Sequence, residues 1–120
     1  MYRTLAVEDD VNVFTISSAW PFPRLEHFRT LAIAGAIENQ SYVIAANRVG
    51  TDNGITFCGS SAIIDPYGVV IAAGSADREE LICSEISEEV VNSIRNRMIV
   101  FAHRRPDLYR KHRTQRAASK

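Results

Sequence analysis

The 120-residue chain is poor in the residue types from which small proteins build reactive centres. It has two cysteines, Cys58 and Cys83, which is too few for a disulfide framework and points to a reducing, cytoplasmic setting. Its three histidines are His27, His103 and His112, and no cysteine or histidine cluster has the spacing of a zinc site. Its only lysines, Lys111 and Lys120, lie in the last ten residues. No glycine-rich loop is built to cradle phosphate. No apolar run is long enough to span a bilayer, which argues against a membrane partner. The opening "MYRTLAVEDD" lacks the apolar core of a signal peptide.

What is present is ordinary for one globular domain, with 46% hydrophobic and 23% charged residues. The net charge of zero hides an asymmetry. Residues 101–120 carry seven basic side chains against Asp107 alone. A basic tail can meet nucleic acid or an acidic surface. Here Tyr109 is its sole tyrosine or tryptophan and there are no glycine-arginine repeats, so nucleic acid is disfavoured as a partner and a solvated terminus is the simpler reading.

The chain reads as alternating elements. "VNVFTIS" (11–17) is a β-branched strand, broken by Ser17-Ser18 and Pro21-Phe22-Pro23. Leu25, Phe28, Leu31, Ala32, Gly35 and Ala36 recur at helical spacing across 24–40, with small residues suited to close packing. Residues 41–49 read as a second strand, 50–54 as a loop, and 55–65 as a third strand with Gly59 marking a bulge or close approach. Asp65-Pro66-Tyr67-Gly68 is a turn signal, returning the chain as a fourth strand over 69–74. "ELICSEI" (80–86) reads as a fifth strand. Ser87 caps a final helix with Glu88 and Glu89 in its first turn and Val90, Val91, Ile94 and Met98 on its apolar face. The order implies a layered, mixed α/β domain. The expected core is Val13, Phe14, Ile16, Phe28, Leu31, Val43, Ile44, Ile63, Ile64, Val70, Ile71, Leu81, Ile82, Val91 and Ile94, with a helix covering one face of the strands and a second sheet the other.

Candidate chemistry is sparse. Cys58 precedes Gly59-Ser60-Ser61 and is the tempting nucleophile, but no histidine lies in an obvious position to activate it. A small strand cysteine is the ordinary reading, and more so for Cys83. "CGSSA" is not the G-x-S-x-G elbow. Glu38 could be a base, although a glutamate at a helix end more often forms a structural hydrogen bond or ion pair. Trp20, beside Pro21 at a strand end, could line a pocket or cap the core.

The motifs nevertheless have a recognisable order. "SSAWPFPRLEHFRTLAIAGAIENQSYVIAANRVG" resembles the nitrilase superfamily of carbon–nitrogen hydrolases, whose members show Ala-Trp-Pro after a strand, a helix ending in Ala-x-Glu-Asn-Gln, and a strand ending in Asn-Arg-x-Gly. Downstream, Gly59, Ser61, Pro66 and Gly68 fall in the places of the Gly-x-Ser-x-x-x-x-Pro-x-Gly hairpin, and "RRPDLY" (104–109) is similar to a common family ending. The branch it is most like is that of aliphatic amidases and ω-amidases.

That resemblance implies an α-β-β-α sandwich, of which residues 1–109 would form the C-terminal part, followed by a basic tail over 110–120. It implies hydrolysis of an amide or nitrile C–N bond by a glutamate base, a lysine and a cysteine nucleophile, with no metal or other cofactor. The nucleophile stands in a Cys-Tyr-x-x-Arg-Phe-Pro-Glu stretch that precedes a helix opening like Met1-Tyr2-Arg3, and neither Cys58 nor Cys83 matches it. No catalytic residue is therefore assigned here. Ala19 and Trp20 are expected on a substrate-pocket wall. Glu38, Asn39, Asn47, Gly59, Ser61, Pro66 and Gly68 are expected as structural motif residues. One departure is "VEDDVN" (7–12), where the family carries a glycine-containing turn. The chain is expected to be inactive alone, to need the missing half to bind a small amide or nitrile, and to be a homo-oligomer or a component of a complex. The alternative is a structural or regulatory partner that completes or blocks a full-length hydrolase.

Overall fold

The computed structural model describes residues 2–108. The basic tail at 110–120, with Tyr109 and His112, lies outside them. The described elements are α1 (Tyr2–Glu8), β1 (Val13–Ser18), α2 (Leu25–Asn39), β2 (Tyr42–Asn47), β3 (Val49–Asp52), β4 (Ile55–Cys58), β5 (Ala62–Ile64), β6 (Val70–Ala73) and α3 (Glu88–Arg97). A four-stranded sheet has the order β1-β2-β5-β6, and β3-β4 form a separate two-stranded sheet. β1 and β2 run parallel, in register from Val13↔Tyr42 to Ser18↔Asn47, with α2 as the crossover that such a pair requires.

Side-chain alternation sorts the sheet into two faces. Phe14, Val43, Ala45 and Ile64 join Phe28, Ala32 and Ala36 of α2 and Ala6 of α1 in one buried cluster. Tyr42, Ile63, Val91 and Ile94 are buried outside that cluster, and the Ser87 amide opening α3 donates to the Tyr42 hydroxyl at 3.3 Å. The Ser87 hydroxyl accepts from the Glu89 amide, the N-cap that its place suggested.

The mixed α/β class of the sequence reading stands, with four corrections. Residues 55–65 are two strands in two sheets, because Gly59 and Ser60 both adopt left-handed backbone (φ 47° and 58°) and turn the chain between them. Residues 50–54 are a hairpin, with Asn53-Gly54 supplying two positive φ angles at its turn. Residues 80–86 form no strand. Of the expected core, Leu31, Val70 and Leu81 are exposed, at 60%, 43% and 90%. The buried stripe of α2 runs through Phe28, Ala32, Ala36 and Asn39, and Leu31 falls off it. Val13, Ile16, Ile44, Ile71 and Ile82 are only half-buried.

These exceptions share a cause. The molecule is a slab of 47 × 45 × 19 Å, the thickness of one helix layer on one sheet. Its radius of gyration is 17.2 Å, against about 14 Å for a compact domain of this length. Among the described residues no second sheet covers the four-stranded one, so residues expected between layers meet solvent instead.

Candidate functional site

The strand end of β1 and the loop joining β4 to β5 meet at Asn47, the last residue of β2. Its side-chain oxygen accepts from the Trp20 amide at 2.7 Å and the Ser18 hydroxyl at 3.2 Å. Its side-chain nitrogen donates to the Gly59 carbonyl at 2.8 Å. The Asn47 amide donates to the Ser61 hydroxyl at 3.0 Å. A carboxamide suits this place because it offers an acceptor to one loop and a donor to the other. Asn47 is 8% exposed, so these bonds form largely away from water.

Gly59 belongs to the same junction. A Cβ on it would stand 2.7 Å from the Ala76 carbonyl oxygen, 2.8 Å from that of Ser75 and 2.7 Å from a Val49 methyl. Together with its positive φ, this admits only glycine. Pro66 and Gly68 shape the β5–β6 turn, where the Asp65 carboxylate accepts from the amides of Tyr67 and Val69. Pro66 is fully buried, and Gly68 (φ 82°) lies against Ile33 and Ile37 of α2.

Trp20 is carried out of the sheet by this scaffold. Its ring lies tilted on Phe28, with centroids 6.3 Å apart. With Tyr2, Ile16, Leu31, Ala32, Gly35 and Glu38 the pair lines an open, mainly apolar groove of about 320 Å³. Ala19 is exposed. Glu38 sits at the rim of that groove, solvent-exposed, with Arg3 3.9 Å away, which is the surface ion-pair arrangement. Asn39 is fully buried and its side chain bonds the Gly35 carbonyl one turn back, at 2.8 Å.

Cys58 is completely buried. Its thiol donates to the Trp20 carbonyl at 3.1 Å and receives the Asn47 side-chain nitrogen at 3.4 Å. Both sides of the sulfur are thus engaged within the junction, which leaves no approach for a carbonyl carbon. Cys83 is solvent-exposed, a correction to its placement in a strand. No group of three or more histidine, cysteine or acidic side chains among the described residues could hold a metal ion, and no described helix is long and apolar enough to cross a membrane.

Two features escaped the sequence reading. Arg95 reaches from α3 to the Asp10 and Asn12 side chains, to the Val11 carbonyl at 2.8 Å and to the Ser41 hydroxyl at 3.1 Å. It locks the α1–β1 turn, in which Asp10 takes the positive φ (51°) that a glycine would otherwise supply. No local pattern announces a bond spanning more than eighty residues. The second is a polar cavity of about 370 Å³ lined by Asn47, Arg48, Ser61, Ser75, Arg78 and Glu80 among others. The Ser75 hydroxyl and amide both donate to the Glu80 carboxylate, and these two bonds hold its pKa below the usual value.

Comparison with known proteins matches this arrangement. The chain is 44% identical over 98 residues to the 2-oxoglutaramate amidase of Bacillus subtilis (strain 168), covering 82% of this chain and 38% of that protein. It is 38% identical over 90 residues to the omega-amidase YafV of Escherichia coli (strain K12), covering 74% and 35%. Among solved structures it is similar to the Caenorhabditis elegans NitFhit protein, with 36% identity and a TM-score of 0.74 over 82% of this chain and 24% of that one. The chain therefore spans well under half the length of the relatives it matches. The carbon–nitrogen hydrolase family profile matches residues 4–96, a span holding Trp20, Glu38, Asn47 and Gly59, and the chain belongs to that family.

Proposed function

We propose that these 120 residues supply the Trp20 wall and the Asn47-centred scaffold of an amidase site whose glutamate, lysine and cysteine lie on the part of the family fold that they do not span. The observation that carries this reading is the state of Cys58, the one thiol at the junction, sealed on both sides by Trp20 and Asn47. The two lysines, at 111 and 120, lie beyond the family match. The C-terminal position of the segment follows from the motif order.

In the completed site, the glutamate takes the thiol proton and the sulfur attacks the amide carbon. The lysine stabilises the oxyanion. The C–N bond breaks, ammonia leaves with the transferred proton, and water hydrolyses the thioester to a carboxylate. The names of the relatives, 2-oxoglutaramate amidase and omega-amidase, favour the terminal amide of a small carboxylic acid as substrate. The half-thickness of the slab and the exposed Leu31 and Ile37 on α2 favour an associated state, as a homo-oligomer or with a completing partner.

Ammonia release from 2-oxoglutaramate tests the reading, with the Bacillus subtilis enzyme assayed beside the chain. The chain alone is expected to give none. Turnover that disappears in Cys58→Ala would instead make Cys58 a nucleophile. Light scattering at micromolar concentration tests association, and a monodisperse monomer with a cooperative melt would count against it.

A further inference from the structure

We infer that residues 80–86 are a docking strand, and that their occupant is a β-strand from the portion of the carbon–nitrogen hydrolase fold outside these 120 residues. This rests on the proposed sharing of the fold. Glu80-Leu81-Ile82-Cys83-Ser84-Glu85-Ile86 alternates Leu81 and Cys83 with Ile82, Ser84 and Ile86, a composition suited to a half-buried strand. Yet no backbone hydrogen bond joins it to another strand among the described residues. Leu81 is 90% exposed and Ile86 45%.

The segment is nevertheless anchored at both ends. Glu80 holds the Ser75 amide and hydroxyl, and the Ser87 amide donates to the Tyr42 hydroxyl. An apolar, strand-competent stretch with free amides and carbonyls, fixed at its ends, is a template for strand addition. Two observations select the occupant. The segment lies inside the family match at residues 4–96, so its alternation belongs to the family fold. More than half of the length of the Bacillus subtilis relative also lies outside the matched region. The partner is therefore a strand carrying apolar side chains opposite Leu81 and Cys83.

Residue-resolved amide hydrogen exchange tests this. It is measured on the chain alone and on the chain mixed with a polypeptide comprising the part of the Bacillus subtilis 2-oxoglutaramate amidase outside the 98 matched residues. Alone, the amides of 81–86 should exchange as in an unstructured peptide. In the mixture every second one should slow by about 100-fold or more, because pairing along one edge engages alternate amides. Ile82→Pro and Cys83→Pro cover both registers. One of them should weaken association at least about tenfold by deleting a ladder donor. Circular dichroism of each variant alone should be unchanged, since the segment makes no ladder bond within the chain. A complex that forms while 81–86 still exchange freely would overturn the strand and leave the shared fold standing. No complex would overturn both. Protection that appears in the chain alone as its concentration rises would assign the edge to a second copy and overturn the partner named here.

Discussion

The amide of Trp20 donates to the side-chain oxygen of Asn47 at 2.7 Å, across 27 residues of chain. That bond fixes where the polypeptide leaves β1, and so where the indole ring lies relative to Phe28. The nitrogen of the same carboxamide holds the Gly59 carbonyl. One buried side chain thus sets the relative position of the Trp20 wall and the β4–β5 loop.

Asn47→Ala should destabilise the chain by about 2–4 kcal/mol, because it strands the Trp20 amide and the Gly59 carbonyl in a buried site. Urea unfolding monitored by Trp20 fluorescence measures it. Asn47→Asp should be no milder, since a carboxylate oxygen would then face the Gly59 carbonyl. A loss under 0.5 kcal/mol in the alanine variant would mean that water replaces both bonds, by the usual value for exposed sites.

Gly59→Ala should cost at least about 2 kcal/mol, from a left-handed backbone combined with a clash against two carbonyl oxygens that cannot swing aside. Gly35→Ala is the control. Nothing lies within 4 Å of its Cβ position, and alanine favours the helix, so it should stabilise by up to about 1 kcal/mol. Thermal melts of the two variants check the contrast.

Phe28→Ala should cost about 3–5 kcal/mol, because the ring is 4% exposed within the main cluster. Leu31→Ala, one helical position off the stripe, should cost under about 1 kcal/mol in the isolated chain. A larger loss for Leu31 would show that this face of α2 is covered in solution.

The link between Ser75 and Glu80 should depend on pH. The bonds to Ser75 lower the Glu80 pKa in the folded chain. Their contribution is present above the unfolded carboxylate pKa and is lost as pH falls through the lower, folded value. Slow exchange of the Ser75 amide should therefore disappear in acid, and Glu80→Gln should remove that dependence. An amide protected equally at neutral and acid pH would show that Glu80 does not hold it.

The sequence by itself determined the elements whose signals are local. The Ser87 cap, the Asp65-Pro66-Tyr67-Gly68 turn, the small-residue stripe of α2 and the strands flanking it follow from backbone preference and side-chain period. So did the family, because Trp20-Pro21, Glu38-Asn39-Gln40, Asn47-Arg48 and the Gly59 to Gly68 hairpin keep a fixed order. The Asn53-Gly54 hairpin was also legible in its dipeptide, had turn type been weighed above composition. Only the tertiary structure decided which apolar residues are covered and which polar ones act together. Leu31, Val70 and Leu81 carry the pattern of buried residues, but burial needs an opposing layer, and periodicity does not reveal whether the described chain supplies one. Asn47, Cys58 and Trp20 are far apart in sequence. Their hydrogen bonds exist because the parallel pairing of β1 with β2 and the reversal at Gly59-Ser60 bring three strand ends to one point.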